Sequence, residues 1–426
     1  MNKTINVLVF PAGEVNSIEI HDALSTCVNV KVIGASSVDR HGPYVFENYI
    51  SGLPMISDEN FISKFNEVIE EDNIDVIFPT HDTVAEFLAA RTSELKAKLI
   101  AADSESSKIC RDKKLTYELF ADCDFSPKTY SSLECLSLPV FIKPRKGQGS
   151  VGARKITDVS ELELIDFSEY VVCEYLPGEE YTVDCLTDNK GNLLMVSPRL
   201  RRRTMAGISV SGETEDVTEE ISKIAETINH RLNFLGLWWF QIKKDNNDKW
   251  KLLEISTRCA GTMALTRSLG VNLPLLSVYT AMGRDVAVCP NKYHVKMDST
   301  LIRRFHLDIE YDKVYIDFDD TIIVRGKVLL KAIWFLYQCQ NAGKDVILIT
   351  RHENDLSSSL DKYNISKRLF SQILHIKNGE SKSCYIEGSR SIFIDNSWQE
   401  RVEVSSKLGI PVFDVDGLEF LMDWRT

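Results

Sequence analysis

Near the N-terminus, short apolar runs alternate with amphipathic stretches. The runs are Asn6-Val-Leu-Val-Phe10, Val30-Lys-Val-Ile33 and Asp75-Val-Ile-Phe78, and Phe61-Ile-Ser-Lys-Phe-Asn-Glu-Val-Ile69 carries apolar side chains at helical spacing between the last two. Period-free apolar runs joined by helix-period segments predict a parallel α/β sheet. The loops Pro11-Ala-Gly13 and Pro79-Thr-His-Asp82 follow the first and third runs, at the carboxyl ends of strands where such sheets place ligands. Ordinary turn chemistry accounts for the same Pro and Gly residues, so both readings of these loops stand.

The pattern changes twice more. From about Lys108, Cys110-Arg-Asp-Lys113 leads a helix over Thr116–Phe120, and Ser126-Pro127 opens an extended segment that reaches the strand Val140-Phe-Ile-Lys143-Pro. A polar stretch, Lys296-Met-Asp-Ser-Thr300 to Asp312, then precedes a second complete α/β pattern that begins with the strand ending at Asp317. These shifts divide the chain into an α/β domain over 1–107, a second domain over 108–300, a linker at 301–311 and a third domain over 312–426. A length of 426 residues agrees, because one hydrophobic core stops growing well below that size.

Composition narrows the function classes. Acidic residues exceed basic ones 62 to 50, a net charge of -12, which argues against a nucleic-acid or anionic-membrane partner. Any nucleotide would therefore be met by local Lys and Arg. The ten cysteines form no C-x-x-C pair and no metal-like spacing, and the N-terminus lacks an apolar signal region, so reduced thiols in the cytoplasm are expected. No apolar run approaches the roughly 18 residues that span a bilayer.

The first chemical constellation begins where Lys143 ends its strand. Gly147, Gly149, Ser150 and Gly152 form a flexible polar loop just beyond it, and glycine backbone can approach phosphate oxygens closely while the lysine supplies a point charge. The spacing is not that of a P-loop. Glu174-Tyr-Leu-Pro-Gly178-Glu-Glu180, Trp239-Phe-Gln241 and Leu253-Glu254-Ile-Ser256-Thr-Arg258 follow in that order. Together these motifs resemble the ATP-grasp superfamily, of the carbamoyl phosphate synthetase large-subunit and biotin carboxylase type, over roughly residues 1–300. The resemblance implies ATP with magnesium, or manganese in its place, as cofactor. It implies that Lys113 and Lys143 touch the phosphates, with Ser150 in the covering loop. Glu174 falls on the adenine side and Glu180 at the ribose hydroxyls. Gln241 and Glu254 match the metal-binding pair, and Ser256 stands where the motif usually has asparagine, with a hydroxyl that can hold magnesium or a metal-bound water. Arg258 and Arg199 match the arginines that steady an acyl phosphate and the transferring phosphoryl group. The arginine-dense segment Pro198–Gly207 reads either as recognition of an acidic substrate or as a solvated charged strand. Trp238 and Trp239 both read as core.

The second constellation is Asp317-Phe-Asp319-Asp-Thr321 at the end of an apolar strand. Val346-Ile-Leu-Ile-Thr350 is a strand ending in a hydroxyl, Lys382 sits in Gly379-Glu-Ser-Lys-Ser383, and Ile392-Phe-Ile-Asp395 is a strand ending in an acid. In this order they resemble the phosphatase branch of the haloacid dehalogenase superfamily over 312–426. The resemblance implies Asp317 as nucleophile, Asp319 as general acid and base, Thr350 and Lys382 as phosphoryl-holding groups, and Asp317, Asp319 through its carbonyl and Asp395 as magnesium ligands. Lys377 is a weaker match for the lysine. Too few residues lie between these motifs for a cap domain, which implies a bulky substrate or a cover from elsewhere.

The expected architecture is therefore α/β and multidomain: a parallel α/β domain ahead of the grasp, ATP-grasp α+β domains, and a Rossmann-like haloacid dehalogenase-type domain without a cap. The expected activity is ATP-dependent joining of a carboxylate to an amine, with a second, phosphatase-like site for a phosphorylated metabolite. An ATP-grasp kinase, or one catalytic domain beside a binding module, are the alternatives. Partners are expected to be small molecules, with no nucleic acid or membrane, and a homo-oligomer is compatible with the sequence.

Overall fold

The computed structural model describes residues 4–133, 136–163, 165–205, 207–300, 304–305, 307–377, 379–423 and 425. The chain divides into two compact units, Met1–Leu301 and Ile302–Thr426. Residues 301–303 and 306 of the expected linker lie outside the described residues.

The first unit opens with a parallel five-stranded sheet in the order Asn48–Ile50, Val30–Ala35, Ile5–Phe10, Val76–Pro79, Lys98–Leu99. Its central strand is buried on both faces because successive side chains point to opposite sides. Val7 and Val9 pack with Ile20 and Leu24 of the helix Val15–Leu24. Leu8 and Phe10 pack with Phe61, Phe65 and Ile69, spaced by four along the helix Phe61–Glu71.

Two antiparallel sheets complete this unit. The smaller runs Thr129–Tyr130, Tyr170–Glu174, Val140–Pro144, Arg154–Ile156, and the larger runs Trp250–Ser256, Gly236–Lys244, Glu180–Thr187, Leu193–Met205, Ile208–Thr214, Lys296–Asp298. The helix Glu219–Arg231 covers the larger sheet, with Ile221, Ile224 and Ile228 packed among Val183, Trp238 and Phe240. Thr218 caps its N-terminus, Glu219 and Glu220 occupy the first turn, and His230 and Arg231 the last, so the helix dipole is matched at both ends.

Arg199 departs from the role that the resemblance implied. It is 1% exposed, and both Asp184 oxygens accept from its guanidinium, at 2.8 Å each. Thr262 accepts a third hydrogen bond. The adjacent strands Glu180–Thr187 and Leu193–Met205 bring Asp184 and Arg199 into the core, where every donor spent on Asp184 is lost to a ligand. Arg199→Ala is expected to lower unfolding free energy by about 3–5 kcal/mol, the range for stripping one partner from a buried ion pair, as measured by urea unfolding.

The second unit is a parallel sheet in the order Gln372–His375, Asp345–Thr350, Lys313–Ile316, Ser391–Ile394, Val412–Phe413. Val314 and Ile316 face Phe335 and Leu336 of the helix Leu330–Asn341, whereas Tyr315 packs with Phe393 and Val404 on the other side. Between the central strand and that helix lies a small hairpin, Ile323–Val324 against Lys327–Val328. Its two turn residues, Arg325 and Gly326, have φ of 52° and 69°, the left-handed pair that a tight hairpin of this twist needs. The helix that follows begins at Leu330, because Val328 is paired in the hairpin. Among the described residues the cysteines are free thiols, and no helix is long and apolar enough to cross a membrane.

Candidate active sites

In the first unit, strands of the larger sheet, the loop after the strand Val76–Pro79 and the glycine loop after the strand Val140–Pro144 enclose one cleft of about 290 Å³, close to the lower end of the ~300–1,000 Å³ typical of small-molecule sites. Gln241 and Glu254 are direct partners on neighbouring antiparallel strands, so both side chains leave the sheet on the same face. Lys113 joins them: its Nζ stands 3.6 Å from Glu254 Oε2 and donates to the Gly147 carbonyl at 3.2 Å. It begins the helix Lys113–Leu119, which Asp112 caps by accepting from the Lys114 amide, and Arg145 braces Asp112 in turn. Lys143 lies close by but outside the cleft lining. Its Nζ donates to the Leu253 carbonyl at 2.9 Å and sits 5.0 Å over the Tyr117 ring. Burial, with the charge of Lys113 adding to it, holds Lys143 below the usual lysine range, so an added anion would stabilise its charged form.

The glycine loop leans over this cluster. Gly147, Gln148 and Gly149 line the cleft, while Ser150, at φ 58°, is exposed beyond them. Gly207 meets the loop so closely that a Cβ there would fall 2.5 Å from the Gly149 carbonyl carbon. The side-chain amide of Gln148 lies 2.6 Å from His81 Nε2. The two glutamates named for the nucleoside lie outside the cleft lining. Glu174 accepts from the Lys128 amide at 2.9 Å, and Glu180 is paired with Arg201 and, at 3.2 Å, with Lys243. Ser256 is a donor here, giving its hydroxyl hydrogen to Asp82 Oδ1 at 2.7 Å.

Asp82 is the residue that sequence reading left unassigned. Arg258 reaches its other oxygen at 3.0 Å. Burial alone would raise this carboxyl, but Arg258 and the Ser256 hydroxyl outweigh burial and bring it down to about 2. A carboxyl lowered on folding adds stability above its unfolded value near 3.9, and that stability is lost as pH falls towards 2. Asp82→Asn should therefore lower unfolding free energy at pH 7 by about 2 kcal/mol, and the gap to wild type should close between roughly pH 4 and pH 2 in urea titrations. The available signal was the loop Pro79–Asp82 at the end of a buried strand. Trp238 and Trp239 are both buried, as expected, but only one of them also reaches the cleft. Trp238 is core, stacked on Phe234 and bonded to Thr187, whereas Trp239 lines the cleft, its ring 5.3 Å from the Arg258 guanidinium carbon. Arg201, two residues beyond Arg199, also lines it.

In the second unit, the ends of three parallel strands converge. Asp317 follows Lys313–Ile316, Thr350 ends Asp345–Thr350, and Asp395 follows Ser391–Ile394. The Lys382 ammonium bridges two of them, 2.7 Å from Asp317 Oδ1 and 2.6 Å from Asp395 Oδ2. All four side chains are buried. Ser381 caps the short turn Lys382–Cys384, which aims Lys382 inward, and Lys377 is exposed. Burial pushes the Asp317 carboxyl up to about 6 despite Lys382, and the like charge of Asp395 adds to the rise. Asp319 is turned instead to His352, whose Nδ1 is 2.9 Å from Oδ2. Among the described residues no three His, Cys, Asp or Glu side chains already converge as a metal-holding group. Lys382 stands between Asp317 and Asp395 and pairs with both. Buried carboxylates are nonetheless the oxygen donors that a hard divalent cation takes.

Comparison with known proteins bears on the first unit. Residues 166–301 match the family model for ATP-grasp in the biosynthetic pathway with Ter operon. N5-carboxyaminoimidazole synthetase of Staphylococcus aureus complexed with ADP superposes with a TM-score of 0.56 and 16% identity, over 68% of this chain and 79% of that one. L-amino acid ligase of Bacillus licheniformis gives a TM-score of 0.52 and 17% identity, over 66% and 75%. The N-terminal unit has the ATP-grasp fold. A curated relative of this chain is D-alanine–D-alanine ligase of Thermotoga petrophila, 28% identical over 167 residues, which are 35% of this chain and 55% of that protein. The chain thus spans little more than half the length of the curated relatives it matches.

Proposed function

We propose that the ATP-grasp cleft binds ATP as its magnesium complex and activates a carboxylate for attack by an amine. The observation that carries this reading is the meeting of Lys113, Gln241, Glu254 and Arg258 under a glycine loop. Gln241 and Glu254 are the residues that would hold the cation, which when bound neutralises phosphate charge. Lys113 and Lys143 orient the phosphates, and Arg258 offers a planar guanidinium to the reacting oxyanion. In the reaction, a carboxylate oxygen attacks the γ-phosphorus, the bond to ADP breaks, and an acyl phosphate forms. The amine then attacks the acyl carbon, loses a proton and expels phosphate. The chain supplies positioning and charge neutralisation more than proton chemistry. The test is mass spectrometry of purified protein with magnesium-ATP and pooled amino acids and other carboxylates. ADP, phosphate and a condensed mass support the ligase. A phosphorylated product without acceptor-dependent phosphate release makes it a kinase, and AMP with pyrophosphate overturns the acyl-phosphate route.

The second unit supports a separate phosphatase of haloacid dehalogenase type. Its strand order, its short hairpin after the first strand, and the Asp317–Lys382–Asp395 cluster favour this reading. Asp317 attacks the phosphorus of a monoester while Asp319 protonates the leaving oxygen. Water, deprotonated by Asp319, then attacks the aspartyl-phosphate and frees phosphate and Asp317. Thr350 and Lys382 hold the phosphoryl oxygens. Its substrate is a phosphomonoester distinct from the acyl phosphate, since hydrolysing the latter would waste ATP.

A further inference from the structure

We infer that His352 is the positioning residue for Asp319, holding that carboxylate ready for proton exchange in the second site. The inference rests on the phosphatase reading of that site. Asp319 is half exposed, with 52% of its side chain open, whereas His352 retains only 11%. An exposed aspartate left to itself samples several rotamers, and a general acid must lie within hydrogen-bond reach of the leaving oxygen. His352 removes that freedom. Its Nδ1 lies 3.0 and 2.9 Å from the two Asp319 oxygens, and its Nε2 lies 2.7 Å from the Ser359 hydroxyl. A carboxylate only accepts, so Nδ1 carries the hydrogen and Nε2 can accept from Ser359.

The histidine is itself fixed from every side. Its amide donates to Thr350 Oγ1 at 3.2 Å, its carbonyl lies 2.7 Å from His375 Nε2, and its ring meets Phe318 edge-on with centroids 5.2 Å apart. Thr350 and Phe318 belong to the two strand ends that carry the phosphoryl-holding hydroxyl and the nucleophile. The brace therefore ties the orientation of Asp319 to the same framework that places Asp317. Nothing in the local sequence required this, because His352 lies 33 residues from Asp319.

The test uses the full-length chain with magnesium and two probes, an alkyl phosphate such as glycerol phosphate and 4-nitrophenyl phosphate. An alkoxide leaves poorly without a proton, whereas nitrophenolate leaves readily, so loss of a positioned acid weighs on the first probe. His352→Phe keeps the ring and removes the donor. It should lower kcat/KM about 10- to 100-fold for the alkyl phosphate and less than about threefold for the aryl one, at or below the ~10²-fold floor of general-acid effects because Asp319 itself is retained. His352→Asn, whose amide nitrogen can occupy the place of Nδ1, should restore most of the loss. An equal loss on both probes, or none, overturns the inference, as does an Asn variant no better than Phe. Asp317→Asn run alongside separates the two claims. If it leaves hydrolysis of both probes unchanged, the phosphatase reading fails and the inference falls with it; if it abolishes hydrolysis while His352→Phe acts equally on both probes, only the role of His352 fails. Nitrogen NMR of the histidines gives a readout that does not depend on turnover: an Nε2–H tautomer at His352, insensitive to Asp319→Asn, overturns the inference directly.

Discussion

Asp317→Asn should lower hydrolysis of 4-nitrophenyl phosphate by about 10³-fold or more, the scale on which removal of a nucleophile acts. The substitution keeps the size of the side chain and its hydrogen bond to Lys382 while removing the charge that attacks phosphorus. Because Lys382 also meets Asp395 at 2.6 Å, its ammonium stays paired in the variant and the fold should hold. Circular dichroism and urea unfolding check that point. Binding of magnesium-ATP by the full-length chain, measured by calorimetry, should be unchanged, since each unit carries its own set of charged groups. Wild-type rates in Asp317→Asn with every phosphomonoester tried would make this unit a structural or binding module.

Glu254→Ala is expected to reduce ADP formation by at least about 10²-fold, because one carboxylate serves both as the candidate cation ligand and as the countercharge of Lys113. The side chain is partly exposed and ends in the cleft, so the loss should appear in turnover and in the magnesium dependence of nucleotide binding, with little change in stability. Glu254→Gln separates the two roles. It keeps an oxygen donor beside Gln241 but not the charge, and should fall between wild type and Ala. Turnover by Glu254→Ala at the wild-type rate would place nucleotide chemistry elsewhere in the chain.

Much of the architecture was legible from local pattern. Apolar runs such as Asn6–Phe10 and Val346–Thr350 have polarity only at their ends, which is what a strand buried on both faces demands. Asp317 was legible for a related reason, since an ionisable side chain next to the end of such a run stands out against its neighbours, whereas Glu254 was legible through the resemblance of Leu253-Glu254-Ile-Ser256 to the ATP-grasp motif. Arg199 was not, because an arginine in a strand reads the same whether it meets a ligand or an aspartate, and only the pairing of strands brought Asp184 beside it. The alternation of strand positions likewise left Trp238 and Trp239 equivalent until the sheet acquired a covered face and a cleft face.

By itself, then, the sequence determined the elements, the two sets of chemical groups and their order, because these depend on residue type and on spacings of a few positions. The tertiary structure alone decided which groups meet. Asp82 with Ser256 and Arg258, Lys382 with both Asp317 and Asp395, and His352 with Asp319 are contacts across 13 to 176 residues. Their energy comes from burial and from charges a few ångströms apart, quantities that exist only once the chain has closed those distances and excluded water.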